Sequence, residues 1–315
     1  MIKNDITYLS SNQKTNIHAI ICLPKNNQYN RIIQIVHGMC EYIERYLPFI
    51  EYLTTKGFIV IGHDHLGHGQ SVDSLDDLGY FGEPDPSGLL IQDIHSLRKI
   101  IQKKYPNLPY FMCGHSMGSY LLRQYICNHS KGLAGIIVLG TGYMSPCESL
   151  MALGFLNFMA CFKGMRHRSK LCKKISFELG PYKKYDNTKQ DITNSWISRD
   201  PDIVKKYYAD KNCQFEFTIN GFLGVVHSIR YSCDPSNVAK IKKDIPILFV
   251  SGDNDPVGNN GEGVKKSYEI MKLIGSIDVT MKLFESLRHE VLNELNKDEV
   301  FEYILNWLNE KTPSK

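Results

Sequence analysis

The five residues Gly114-His115-Ser116-Met117-Gly118 carry the clearest chemistry in the chain. They follow the apolar run Tyr110 to Cys113 and precede a helix-compatible segment, so the GxSxG spacing falls where a strand turns into a helix. A serine in that strained turn is presented at the end of a sheet, and the residues two before and two after it must lack a Cβ so that neighbouring backbone can pass closely. A serine hydroxyl is a poor nucleophile at neutral pH. It needs a base within hydrogen-bond reach and a carboxylate that orients the base.

In this strand, turn, helix context the acid and then the histidine follow the serine along the chain. Four histidines lie downstream: His129, His167, His227 and His289. The first ends the helix after the serine, and the next two fall in a long insertion. His289 alone follows a late strand-like run, Val279 to Phe284, and is the candidate base. For the acid, Ile247 to Val250 leads into Ser251-Gly252-Asp253-Asn254-Asp255-Pro256-Val257, where two aspartates compete. The rigid Asp-Pro pair favours Asp255, leaving Asp253 to shape the turn by bonding its own backbone. The oxyanion that develops during acyl transfer needs two backbone N–H donors. Met117, just after the serine, supplies one, and Met39, in the turn His37-Gly38-Met39-Cys40 after an early strand, supplies the other.

These residues need a scaffold, and the chain order provides one. Strands are expected at Arg31 to Val36, Phe58 to Gly62, Tyr110 to Cys113, Gly135 to Leu139, Ile247 to Val250 and Val279 to Phe284. Helical patterns lie near Tyr46 to Lys56, Leu89 to Tyr105, Met117 to Cys127 and Asp298 to Glu310. This alternation predicts an α/β fold with a mainly parallel central sheet flanked by helices. The rhythm breaks between Thr141 and Lys243, a gap far longer than the roughly 30 residues of a simple crossover. The expected organisation is a first core part at 1–141, an inserted, mainly helical cap at 142–243 over the sheet's C-terminal edge, and a second core part at 244–315. Ligands of open α/β sheets bind at that edge.

Composition narrows the function classes. Among 315 residues, 37 Lys and Arg face 33 Asp and Glu, a net charge of +4. With no basic helix, zinc pattern or aromatic RNA platform, nucleic acid is not an expected partner. The 43% hydrophobic content supports a full core and excludes disorder, collagen and coiled coil. The nine cysteines form no CxxC pair and read as reduced thiols. The polar start MIKNDITYLSSNQKTN lacks the apolar run of a signal peptide, so a cytoplasmic location is expected. The apolar stretch Leu150 to Phe162, interrupted by Gly154 and Asn157, is well short of the roughly 20 residues that span a bilayer.

Taken together, HGMCEYIERY (37–46), GHDHLGHGQS (62–71), GHSMG (114–118), SGDNDPVG (251–258) and the His289 loop resemble the α/β-hydrolase superfamily. Within it they resemble the monoacylglycerol lipase and lysophospholipase branch, catalogued with the serine aminopeptidase S33 family. The resemblance runs from about residue 20 to 310 and implies a catalytic serine, acid and base at Ser116, Asp255 and His289, oxyanion donors at Met39 and Met117, and no cofactor. The stretch WISRDPDIVKKYYADKNCQFEFT (196–218) resembles the cap of bacterial members. The chain departs from the family's HGxGEH at two positions, with Cys40 and Tyr42 in place of the second glycine and the histidine. His63-Asp64-His65 with His68 has the residue types of a zinc or iron site, but the segment resembles the family's metal-free DHxGHGxS turn, so no metal is expected.

The insertion bears on substrate. Lys163, Arg166, Arg168, Lys170, Lys173 and Lys174 stand against Glu148 alone between residues 145 and 174, and the apolar stretch precedes all six. A greasy helix beside basic residues suits peripheral contact with an anionic membrane and admission of an acyl chain. The expected activity is hydrolysis of a lipid ester, a monoacylglycerol or lysophospholipid, through an acyl-enzyme on Ser116. The alternatives are an aminopeptidase, which would pair a substrate ammonium with Glu178, Asp200, Asp202, Asp210 or Glu216, and a relative that binds a ligand without catalysis.

Overall fold

A computed structural model describes residues 1–186 and 188–312. Eight strands form one sheet in the order β1-β2-β4-β3-β5-β6-β7-β8. The strands β3 (Arg31–Val36), β4 (Phe58–His63), β5 (Tyr110–His115), β6 (Gly135–Leu139), β7 (Ile247–Gly252) and β8 (Val279–Phe284) run parallel. Their sequence-based expectations hold, with β4, β5 and β7 extended by one or two residues into the loops that carry chemistry. The hairpin β1 (Ile2–Leu9) and β2 (Asn16–Leu23) adds an antiparallel edge that the sequence reading did not include.

Alternate residues of each strand feed two cores. On one face Ile32, Ile59, Met112, Ile136 and Phe249 pack against α2 (Pro86–Lys104) and α3 (Met117–His129). On the other, Ile33, Val60, Phe111, Ile137 and Leu248 meet α1 (Leu47–Thr55) and α10 (Lys297–Lys311). Because both faces are covered, β3 to β7 are buried throughout and read as unbroken apolar runs.

Between β6 and β7 lie α4 (Pro146–Lys163), α5 (Lys170–Phe177), α6 (Pro201–Ala209), α7 (Ile219–Cys233) and the short α8 (Pro235–Val238). α9 (Glu262–Leu273) then precedes β8. α4 starts at a capping box, with Ser145 and Glu148 each bonding the other's backbone N–H and Pro146 in the first turn, and ends at Gly164 in a positive-φ conformation. α7 is the insertion's anchor. Its Ile219, Phe222, Leu223 and Val226 belong to the same apolar cluster as α2 and α3. Among the described residues no helix is long and apolar enough to cross a membrane.

Candidate active site

β5 ends at His115, and Ser116 follows with φ 53° and ψ −123° before α3 begins at Met117. That left-handed backbone holds because its surroundings leave no alternative: the Ser116 N–H bonds Leu139 O at 3.0 Å, and the N–H and hydroxyl of Ser119 both return to Ser116 O. A Cβ on Gly114 would run into Gly118 O, and one on Gly118 into Val36 O. Glycine is therefore required at both positions by close backbone approach. Met117 opens the helix, so its N–H has no carbonyl one turn earlier to bond.

Across from the elbow, the turn after β3 carries Met39. The His37 Nδ1 donates to Gly38 O at 2.8 Å while its Nε2 accepts the His65 N–H at 2.9 Å, which ties this turn to the GHDHLGHGQS segment. Cys40, where the family has glycine, has φ 54°, so the position demands a left-handed residue and tolerates cysteine at a cost. Its thiol donates to Phe215 O at 3.3 Å, and burial pushes the thiol up to about 12, which keeps it protonated.

His289 and Asp255 meet directly. The His289 Nδ1 lies 3.0 Å from each carboxylate oxygen of Asp255, which also accept the Ser251 hydroxyl at 3.2 Å and the Val257 N–H at 2.9 Å. Asp255 has no solvent exposure and His289 3%. Asp253 points elsewhere and accepts the Ser286 N–H at 2.7 Å, shaping the turn. Ser116, Met39, Met117 and His289 all line one cavity of about 770 Å³. Phe155, Leu156, Phe222, Val225 and Ile229 form an apolar wall, and Lys173, Lys189, Gln214 and Glu216 a polar one.

The metal alternative meets a physical obstacle. Asp64 spends both oxygens on the Ile43 N–H, the Gln70 N–H and His18 Nδ1, each at 2.9 or 3.0 Å. Among the described residues, no three His, Cys, Asp or Glu side chains gather as a metal site. Burial holds His65 down at about 4 and His68 at about 3.

Several neighbours of the site escaped the sequence reading. Trp196 packs at a tilt beside the base, ring centroids 5.2 Å apart, and the His289 backbone N–H bonds Trp196 O. Glu41, Arg45, Glu290 and His115 form a buried polar cluster, and all but Arg45 line the cavity. The available signals were the four-residue spacing of Glu41 and Arg45 and the position of Glu290 directly after the base. The basic residues of the insertion also divide. Arg166 pairs with Asp77, Arg168 bonds the carbonyls of Asp76, Leu78 and Glu216, and Lys173 pairs with Glu216, whereas Lys163, Lys170 and Lys174 are exposed.

A sheet of this order with a serine elbow after its central strand and a buried Asp–His pair at the same edge defines an α/β-hydrolase. Over residues 27–296 the chain matches the family described as serine aminopeptidase, S33. It is 26% identical over 284 residues to the monoglyceride lipase homolog of Monkeypox virus, covering 88% of each chain. It is also 26% identical to the monoglyceride lipase of Homo sapiens, over 89% of this chain and 83% of that one. A carboxyl esterase from Bacillus coagulans, solved with glycerol, superposes with a TM-score of 0.89 at 32% identity over 98% of this chain and 99% of the other. The chain belongs to the serine aminopeptidase S33 family of α/β-hydrolases, in the branch that holds the monoacylglycerol lipases.

Proposed function

We propose that this hydrolase, of the lipase and esterase type by family, cleaves carboxylic esters of monoacyl lipids, a monoacylglycerol or a lysophospholipid, through an acyl-enzyme on Ser116. His289 takes the serine proton as the hydroxyl attacks the ester carbonyl, then passes it to the leaving alcohol. Asp255 holds the imidazole in the tautomer whose Nε2 can accept that proton and stabilises the imidazolium that forms. The N–H groups of Met39 and Met117 stabilise the oxyanion. Water activated by His289 then releases the fatty acid. The observation that carries this reading is the pairing of His289 with Asp255 at 3.0 Å at the wall of a cavity that Ser116 also lines. The apolar wall, in volume and lining, suits an acyl chain.

Delivery of such a substrate fits the insertion, which we read as a cap that docks on an anionic lipid surface. Leu150, Met151, Phe158 and Phe162 of α4 and Leu171 and Ile175 of α5 are exposed, with Lys163, Lys170 and Lys174 beside them.

The test is a fluorophosphonate probe and a substrate panel on wild type and Ser116→Ala. The expected result is labelling and hydrolysis of a monoacylglycerol or lysophospholipid, both abolished in the variant. Turnover confined to an amino-acyl anilide would replace the lipid with a peptide substrate. An unlabelled Ser116 with no turnover of any ester would leave only ligand binding.

A further inference from the structure

The imidazole that precedes the nucleophile is held in an unusual way. His115 is 5% exposed, and both ring nitrogens face acceptors. Its Nε2 lies 3.3 Å from the main-chain oxygen of His289, which can only accept. Its Nδ1 lies 3.2 Å from Glu41 Oε1 and 3.0 Å from the Tyr46 hydroxyl. Tyr46 is closer to the carboxylate, at 2.7 Å, and its single proton goes there, because a carboxylate is the stronger acceptor. An unprotonated Nδ1 would then turn its lone pair toward an anionic oxygen.

The charge count points the same way. Glu41 and Glu290 are both buried, and Arg45 bridges them, bonding Glu41 Oε2 at 2.9 Å and clasping both oxygens of Glu290 at 2.7 and 2.8 Å. Two carboxylates against one guanidinium leave an excess negative charge among buried side chains, which proteins avoid. A second cation closes the count. Burial pushes the Glu41 carboxyl up, but the bond from His115 and the charges of His115 and Arg45 overcome it and bring it to about 2. The His115 ring is lowered by burial and raised by more through Glu41.

We propose that His115 is a positioning residue that stays doubly protonated, completing a neutral four-charge cluster with Glu41, Arg45 and Glu290 that locks three catalytic segments together. Glu41 also accepts the Gly38 N–H, so it holds the turn that carries Met39. Arg45 holds Glu290 and through it the residue before, His289. His115 holds the His289 carbonyl from one side and adjoins Ser116 on the other.

A fixed positive charge beside the base has a functional consequence. The His115 and His289 rings lie 4.7 Å apart between centroids, so replacing a charged His115 with a neutral side chain takes a positive charge away from the base. The other groups facing His289 are the Asp255 carboxylate and the uncharged Trp196. Glu290 is turned away into the Arg45 clasp. Those neighbours are unchanged when His115 alone is replaced.

The pH argument rests on His289 being the catalytic base, whereas the protonation of His115 does not. The test accordingly has two arms. In wild type, nitrogen-15 NMR of the imidazoles should find both His115 nitrogens protonated at pH 8. One bare nitrogen at neutral pH, as in a neutral ring that accepts the Tyr46 proton, overturns the proposal. In the second arm, the acid limb of the kcat/KM profile for ester hydrolysis should rise by about one pH unit in His115→Gln. A folded His115→Gln with an unmoved limb also overturns it. If the variant does not fold, the NMR arm decides alone. Wild type that hydrolyses no ester while His115 is doubly protonated would defeat the proposed function and leave this cluster standing.

Discussion

The two walls of the cavity are built from different material. On the sheet side, the loops after β3, β5, β7 and β8 bring Glu41, His115, Asp255 and His289 into a buried set of hydrogen bonds in which charges are matched. On the insertion side, α4 turns only Ser149, Leu153 and Leu156 fully inward and leaves Leu150, Met151, Phe158 and Phe162 exposed. The first wall is fixed by buried hydrogen bonds and ion pairs whose loss would be costly. The second offers area without direction. Chemistry that depends on proton positions is expected to reside on the first, and tolerance of varied, flexible apolar substrates on the second.

Substitutions can break this contrast. The largest effect is expected for His289→Ala, which should lower ester turnover about 10⁴-fold or more, with Asp255→Asn close behind, since the amide would stabilise the wrong tautomer. Steady-state kinetics on a short p-nitrophenyl ester measures both, and a loss under tenfold for either would remove the residue from the proposed triad. Next comes Arg45→Met, which leaves Glu41 and Glu290 buried without their guanidinium. It should destabilise the fold by about 3–5 kcal/mol in chemical denaturation. A change below about 1 kcal/mol would mean that the clasp adds little.

Acid should weaken the sheet-side wall. Burial holds His65 and His68 at about 4 and about 3, and lowers His37 and His63 as well. An unfolded histidine takes up its proton near pH 6.5, so between about pH 6.5 and 4 the unfolded chain binds more protons and stability falls as pH drops. His115 and His18, raised in the fold, work in the opposite direction, but they are two groups against six, since burial lowers His95 and His129 as well. The melting temperature is expected to fall by about 5 °C between pH 7 and pH 5. A flat profile would show that these rings are not held neutral. The smallest effect belongs to the insertion. Replacing Phe158 and Phe162 together by serine should cut co-sedimentation with anionic vesicles and raise KM for a vesicle-borne ester a few-fold, with a water-soluble short ester unaffected. Unaltered vesicle binding would locate lipid contact elsewhere.

What could be read in advance follows the same division. β3 to β7 were legible because parallel strands covered on both faces become apolar runs, and the candidates Ser116, Asp255 and His289 stood out because each follows a strand-like run. β1 was hidden by exposure: IKNDITYL mixes charge and apolar residues on an edge strand that contributes little to the core. The clasp of Arg45 and Glu290 joins residues 245 apart in sequence, and one chain contains no signal for such a pairing. Cys40 was visible as a departure from glycine, but its left-handed backbone and its bond to Phe215 O emerge only when the insertion is folded over it. The insertion's six basic residues looked alike in sequence. Their partners separate them into those that bond the turn at residues 76–78 or Glu216 and those that face outward.

The anchoring of α7 limits how the molecule can be remodelled. Four of its side chains fill space against α2 and α3, and its Asn220 accepts the Phe81 N–H at 2.8 Å. Grafting a foreign lid between β6 and β7 to change acyl-chain preference would therefore open a void beside the central helices unless this one segment were retained. The exchangeable part is shorter than the whole insertion, and its natural cut points lie around α4 and α5, where more apolar side chains are exposed.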